Sequence, residues 1–74
     1  MKKLKIIANN YKPNEVFKII REWTELTQEE LAKELNYKTY HSIKQIERGI
    51  NSFTFQNLMK IAKKHNLIIT IEKR

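Results

Sequence analysis

Cysteine and aspartate are absent from this chain of 74 residues, and glycine, proline and tryptophan occur once each. Without cysteine there is no disulfide and no thiolate metal site, a composition that fits a reducing cytoplasm. The two histidines, His41 and His65, are far apart in sequence and lack a ligand pattern, so both read as ordinary surface residues and neither a metal nor a cofactor is expected. A Gly-rich phosphate loop, a cysteine nucleophile and the His–carboxylate spacing of a triad are all missing, which argues against an enzyme. No apolar run approaches the roughly 20 residues needed to cross a bilayer. The basic N-terminus also lacks the apolar stretch and small-residue cleavage site of a signal peptide. A soluble, cytoplasmic protein is the expectation, folding over 1–74 as one domain close to the lower size limit for a core without staples.

What is abundant is positive charge, a net +7, and it is unevenly placed. Residues 1–36 carry a net +1 and residues 37–74 a net +6. Basic character alone is a common solubility device. Its concentration from Lys38 onward points to a polyanionic partner.

Read in order, residues 2–7 are Ile-rich and partly alternating, predicting a short strand or, failing that, a basic arm. A turn cluster follows, and Pro13 marks the approach to a helix because its fixed φ suits a first helical turn. Val16, Phe17, Ile20 and Trp23 then recur at three- and four-residue spacing, an amphipathic helix over about 14–24. Near the other end, Thr54 is placed to cap a helix over 55–65 that buries Phe55, Leu58, Ile61 and Ala62 and turns Lys60, Lys63 and Lys64 to solvent. The last stretch, 67–72, is β-branched and apolar, which predicts a second strand. A lone strand leaves its N–H and C=O groups unpaired, so its partner would be the first strand, a second chain, or both. A homodimer through these terminal strands is the expectation.

Between these ends, residues 26–49 predict two short helices joined by a tight turn. The first, over 28–35, has Thr27 as N-cap and Glu30 three residues later to complete a capping box, with Leu31, Ala32 and Leu35 on one face. The second, over 40–48, is predicted to be capped by Thr39 and to stop at Gly49, with Ile43 and Ile46 inward. Ala32 is small enough to let the two backbones cross closely. Tyr40, His41, Lys44 and Gln45 are then left facing outward near the start of the second helix.

The run Thr-Gln-Glu-Glu-Leu-Ala at 27–32, the Ile-Glu-Arg-Gly at 46–49 and the Leu-Met-Lys-Ile-Ala at 58–62 resemble the phage repressor and Cro family of helix-turn-helix regulators, also called XRE-type. The resemblance covers about residues 14–66. It implies a mostly α fold, a four-helix repressor-like bundle, here with short N- and C-terminal β-strands. Two departures stand out: Glu25 and Asn36 occupy places where many members have glycine, and Tyr37-Lys38 makes the turn one residue longer. The resemblance further implies that Arg21 and Glu47 form a structural ion pair at the core edge and that Gln28 clamps a DNA phosphate.

The implied function is a sequence-specific double-stranded DNA-binding transcriptional regulator, a repressor, reading the major groove with the helix over 40–48. Phosphates would be held by Gln28, Lys38, Arg48 and Asn51. Bases would be read by Thr39, Tyr40, His41, Ser42, Lys44 and Gln45, with Gln45 suited to adenine and Lys44 to guanine. A dimer would favour a palindromic operator. The alternative is an antitoxin-type regulator that also binds a protein toxin as partner.

Overall fold

A computed structural model describes residues 6–73. A single 3-10 turn, Ala8–Asn10, precedes four helices: α1 (Pro13–Thr24), α2 (Gln28–Glu34), α3 (His41–Glu47) and α4 (Phe55–Lys64). Pro13 takes the first position of α1, and the Glu15 carboxylate accepts the Lys12 backbone N–H at 2.8 Å. Helix α2 opens on the capping box: Thr27 Oγ1 accepts the Glu30 N–H at 3.1 Å, and Glu30 Oε1 accepts the Thr27 N–H at 2.9 Å. The Thr27 backbone N–H, and after it the Thr27 side chain, holds the Glu30 carboxyl below its ordinary range. Thr54 caps α4 by accepting the Asn57 N–H at 3.1 Å.

Every helix is followed by a residue in the left-handed region: Glu25, Asn36, Gly49 and Asn66. At three of these ends the chain folds back on the helix through a 6→1 bond. The Tyr37 N–H reaches the Ala32 carbonyl at 2.9 Å, the Ile50 N–H reaches Gln45 at 2.9 Å, and the Leu67 N–H reaches Ala62 at 2.8 Å. Tyr37 and Leu67, the residues just past two of these turns, pack against the core and tie each reversal to it. Asn tolerates this backbone region, and Gly49 has no Cβ to strain. Glu25, at φ 62°, has neither advantage.

The core is one cluster of Phe17, Leu31, Ala32, Leu35, Ile43, Ile46 and Ile61, with Ile20, Leu26, Tyr37, Phe53 and Leu67 packed on it. Helix α3 lies against both α1 and α2. Ala32, 2% exposed, is buried in the same cluster as Ile43 and Ile46, the place that its size suggested. Helix α4 is fastened by polar bonds as well as by Ile61: Asn57 Nδ2 donates to the Tyr37 hydroxyl at 3.0 Å, and His65 Nε2 meets Glu34 Oε2 at 3.0 Å. Burial opposes charge on Glu34, but the bonds from His65 and Lys64 outweigh it and hold the carboxyl below its usual range. His65 is therefore an interhelical tie and not the free surface histidine that the sequence suggested.

Three expectations are corrected. Among the described residues there is no β-strand. Residues 2–5 of the first predicted strand lie outside the described part. Ile6 and Ile7 form no ladder, and the 3-10 turn at Ala8 ends any alternation. Residues 67–73 follow α4 without secondary structure, because a β-prone segment forms no ladder until another strand meets its backbone groups. Second, Phe55 is 59% exposed. It is the first residue of α4 and lies at the margin of the Leu58–Ile61–Ala62 face, one turn before Met59, which is exposed as well. Third, Thr39 does not cap α3. The residue before the helix is Tyr40, already in helical conformation at φ −68° and ψ −15°, with no side-chain cap bond. The long turn thus delivers the chain to α3 one residue later than predicted. No helix among the described residues is long and apolar enough to cross a membrane.

Candidate nucleic-acid interface

With Ile43 and Ile46 buried, the 3.6-residue period leaves His41, Lys44, Gln45 and Arg48 exposed along one side of α3 and its C-terminal end. Thr39 and Lys38 are exposed in the turn before it. Tyr40 is 42% exposed, and its ring stacks on that of His41 with centroids 4.4 Å apart and an interplanar angle of 31°. Ser42 is half-buried at the flank, away from the centre of the exposed face.

Helix α3 is held from below by Glu47. Its carboxylate accepts Arg21 Nε on one oxygen and Arg21 Nη2 on the other, the latter at 3.1 Å, a bidentate pair between α1 and α3. Glu47 is 5% and Arg21 15% exposed, so water screens the pair little. The bond to Glu47 raises the Arg21 pKa further above its already high value. The third guanidinium nitrogen donates to the Leu26 carbonyl at 3.0 Å, linking the pair to the approach to α2. Gln28 Nε2 donates to Glu47 Oε1 at 3.2 Å, so one of its two amide protons is committed inside the protein and the other remains available. At the same end of α3, Asn14 Nδ2 donates to the Glu47 carbonyl at 3.1 Å.

The electrostatic consequence is simple. Glu47 is the only carboxylate in residues 37–71, and it is turned inward and neutralised by Arg21. The outward face of α3 therefore carries cations and neutral donors with no acid among them.

Asn51, in the stretch that flanks the reading helix, donates its Nδ2 to Gln45 Oε1 at 2.8 Å. Asn14 and this Asn51–Gln45 bond were not anticipated from the sequence. The first has no local signal, since it joins residues 33 apart. The second had one in Gly49, whose reversal brings residue 51 back over residue 45.

Among the comparisons with known proteins, the helix-turn-helix family model matches residues 17–67, more than half of the chain and all of the α2–turn–α3 unit. No curated protein and no solved structure gives a match. On the family match, the chain belongs to the XRE/Cro-like helix-turn-helix family and is a DNA-binding helix-turn-helix regulator.

Proposed function

We propose that the protein is a sequence-specific reader of double-stranded DNA that acts as a transcriptional repressor through α3 in the major groove. The observation that carries this reading is the acid-free outward face of His41, Lys44, Gln45 and Arg48, held over the part-buried Arg21–Glu47 pair. An α-helix is about 10–12 Å across with its side chains, which matches a major groove about 12 Å wide, and α3 presents seven residues to it. Lys44 matches the guanine O6 and N7 acceptors, His41 can donate to a guanine acceptor, and Thr39 and Tyr40 offer apolar contact to a thymine methyl. Phosphate contacts fall to Lys38, Arg48 and the uncommitted N–H of Gln28. Occupying an operator is enough to block another protein's access. Repression is therefore the outcome that needs no further surface.

Positioning and reading residues separate in measurement. Arg48→Glu is expected to weaken binding to all sequences alike and to flatten the dependence of log affinity on log salt by about one or two. Gln45→Ala is expected to relax preference at one or two base positions, by about 1–3 kcal/mol. Fluorescence-anisotropy titrations over a salt series, with a preferred and a scrambled duplex, check both. A base preference untouched by Gln45→Ala would remove that residue from the reading set.

A palindromic operator calls for a homodimer, and the support for one is the apolar surface beyond α4. Ile68 is 91% and Ile71 83% exposed, an unusual position for isoleucine in a chain of net charge +7. Pairing of this segment with its copy would supply a backbone partner, which it does not have among the described residues, and would set each exposed isoleucine beside a side chain of the copy. Sedimentation is expected to give a dimer mass for the native chain and a monomer mass for Ile68→Lys combined with Ile71→Lys. A dimer mass retained in that variant would place the interface elsewhere.

A further inference from the structure

We infer that Asn51 is a positioning residue that turns the amide of Gln45 so that its amino group faces the groove, making the base under Gln45 a guanine. This rests on the DNA-reading role proposed above. Gly49, at φ 80°, reverses the chain after α3. Its N–H reaches the Ile46 carbonyl at 3.0 Å, and the Ile50 and Asn51 N–H groups converge on the Gln45 carbonyl at 2.9 and 3.3 Å. Asn51 Nδ2 then donates to Gln45 Oε1 at 2.8 Å. Asn51 is thus fastened to Gln45 twice, by backbone and by side chain, and the chain's only glycine makes this possible.

The chemistry follows from what an amide offers. A glutamine side chain has an acceptor oxygen on one side and two donor protons on the other. Bidentate reading of adenine needs both sides at once, because the adenine edge presents the N7 acceptor and the N6 donor. The bond turns the oxygen side of the amide towards Asn51, and the amino group is the side left to face a base. Guanine presents two neighbouring acceptors, O6 and N7, and so matches a donor-only probe. Adenine would set its own N6 amino group against that of Gln45. The tether also settles a long, flexible side chain before DNA arrives, which lowers the ordering cost at binding.

The test is selection from a random duplex DNA pool at physiological salt with the native chain, Gln45→Ala, Asn51→Ala and Asn51→Asp. The position read by Gln45 is the one whose preference Gln45→Ala relaxes. The native chain is expected to select guanine there. Asn51→Ala is expected to relax the same position by about tenfold in guanine over adenine. It should leave the salt dependence unchanged, and the double substitution with Gln45→Ala should be no worse there than either single one. Asn51→Asp carries an acceptor in place of a donor. It is expected to reverse the Gln45 amide and shift that position towards bases with an amino group in the groove, cytosine or adenine. Uniform weakening by Asn51→Ala with a flatter salt dependence would make Asn51 a phosphate contact and overturn the inference alone, as would adenine at the native position. A native chain that selects no motif would overturn the DNA-reading role and this inference with it. Asn51 and Gln45 are both exposed, and unchanged thermal unfolding of the variants checks that the fold is intact.

Discussion

Replacing Glu47 with alanine is expected to cost about 3 kcal/mol of stability, the low end of the range for removing one member of a buried ion pair, because this pair is part-buried. The loss arises less from the missing attraction than from what stays behind. The Arg21 guanidinium, 15% exposed, would keep the Leu26 carbonyl as its one remaining partner, and Gln28 would lose its anchor. For a domain of this size, total stability is about 4–11 kcal/mol, and each kcal/mol moves the melting point by about 4–8 °C. Circular dichroism should therefore show a fall of about 15 °C or more, or a chain unfolded at room temperature. Glu47→Gln keeps the shape and one acceptor oxygen, and is expected to lose less. Removing both Arg21 and Glu47 should cost less than the sum of the single changes. A Glu47→Ala chain melting within a few degrees of the native one would mean that the pair is effectively solvated. The reading face would then lack the rigid support ascribed to it here.

Phe17→Ala is expected to be of similar size, about 3–5 kcal/mol, through the cavity left in a core too small to close around it. Phe17 is fully buried on α1, and its ring lies 4.9 Å from that of Phe53 at an angle of 33°. Phe53 belongs to the loop between α3 and α4, which also carries Asn51, so the same ring that fills the core steadies the segment beyond the reading helix. Urea unfolding should show a lowered midpoint with an unchanged slope. Phe17→Leu, which keeps most of the volume, should retain most of the stability. A small effect of Phe17→Ala would show that α1 and α3 pack without it.

What was legible in the sequence was what neighbouring residues decide among themselves. The Thr27–Glu30 capping box, the inward Ile43 and Ile46 and the small Ala32 all follow from spacing within one or two turns of chain. The Arg21–Glu47 contact joins residues 26 apart and came from family resemblance, not from pattern. Features that depend on a distant partner were not legible. The β-prone segment at 67–72 reads as a strand by composition, but composition supplies no second strand. Thr39 is a good capping residue by type. The longer turn moves the start of α3 past it, to His41, and a propensity at one position cannot register a shift in the path of the chain. Phe55 failed in the same way, its apolar character outweighing its place at the first residue and edge of α4. The bond from Asn51 to Gln45 depends on the reversal at Gly49 and on two side-chain conformations, which residue types alone do not give.

The most direct test of α3 as a sequence reader is selection of fragments bound by the native chain from a random duplex DNA pool at physiological salt. An enriched palindrome with half-site centres about one helical turn, roughly 34 Å, apart is the expected result. Retention that depends on salt alone, with no enriched motif, would contradict it and leave a non-specific polyanion binder.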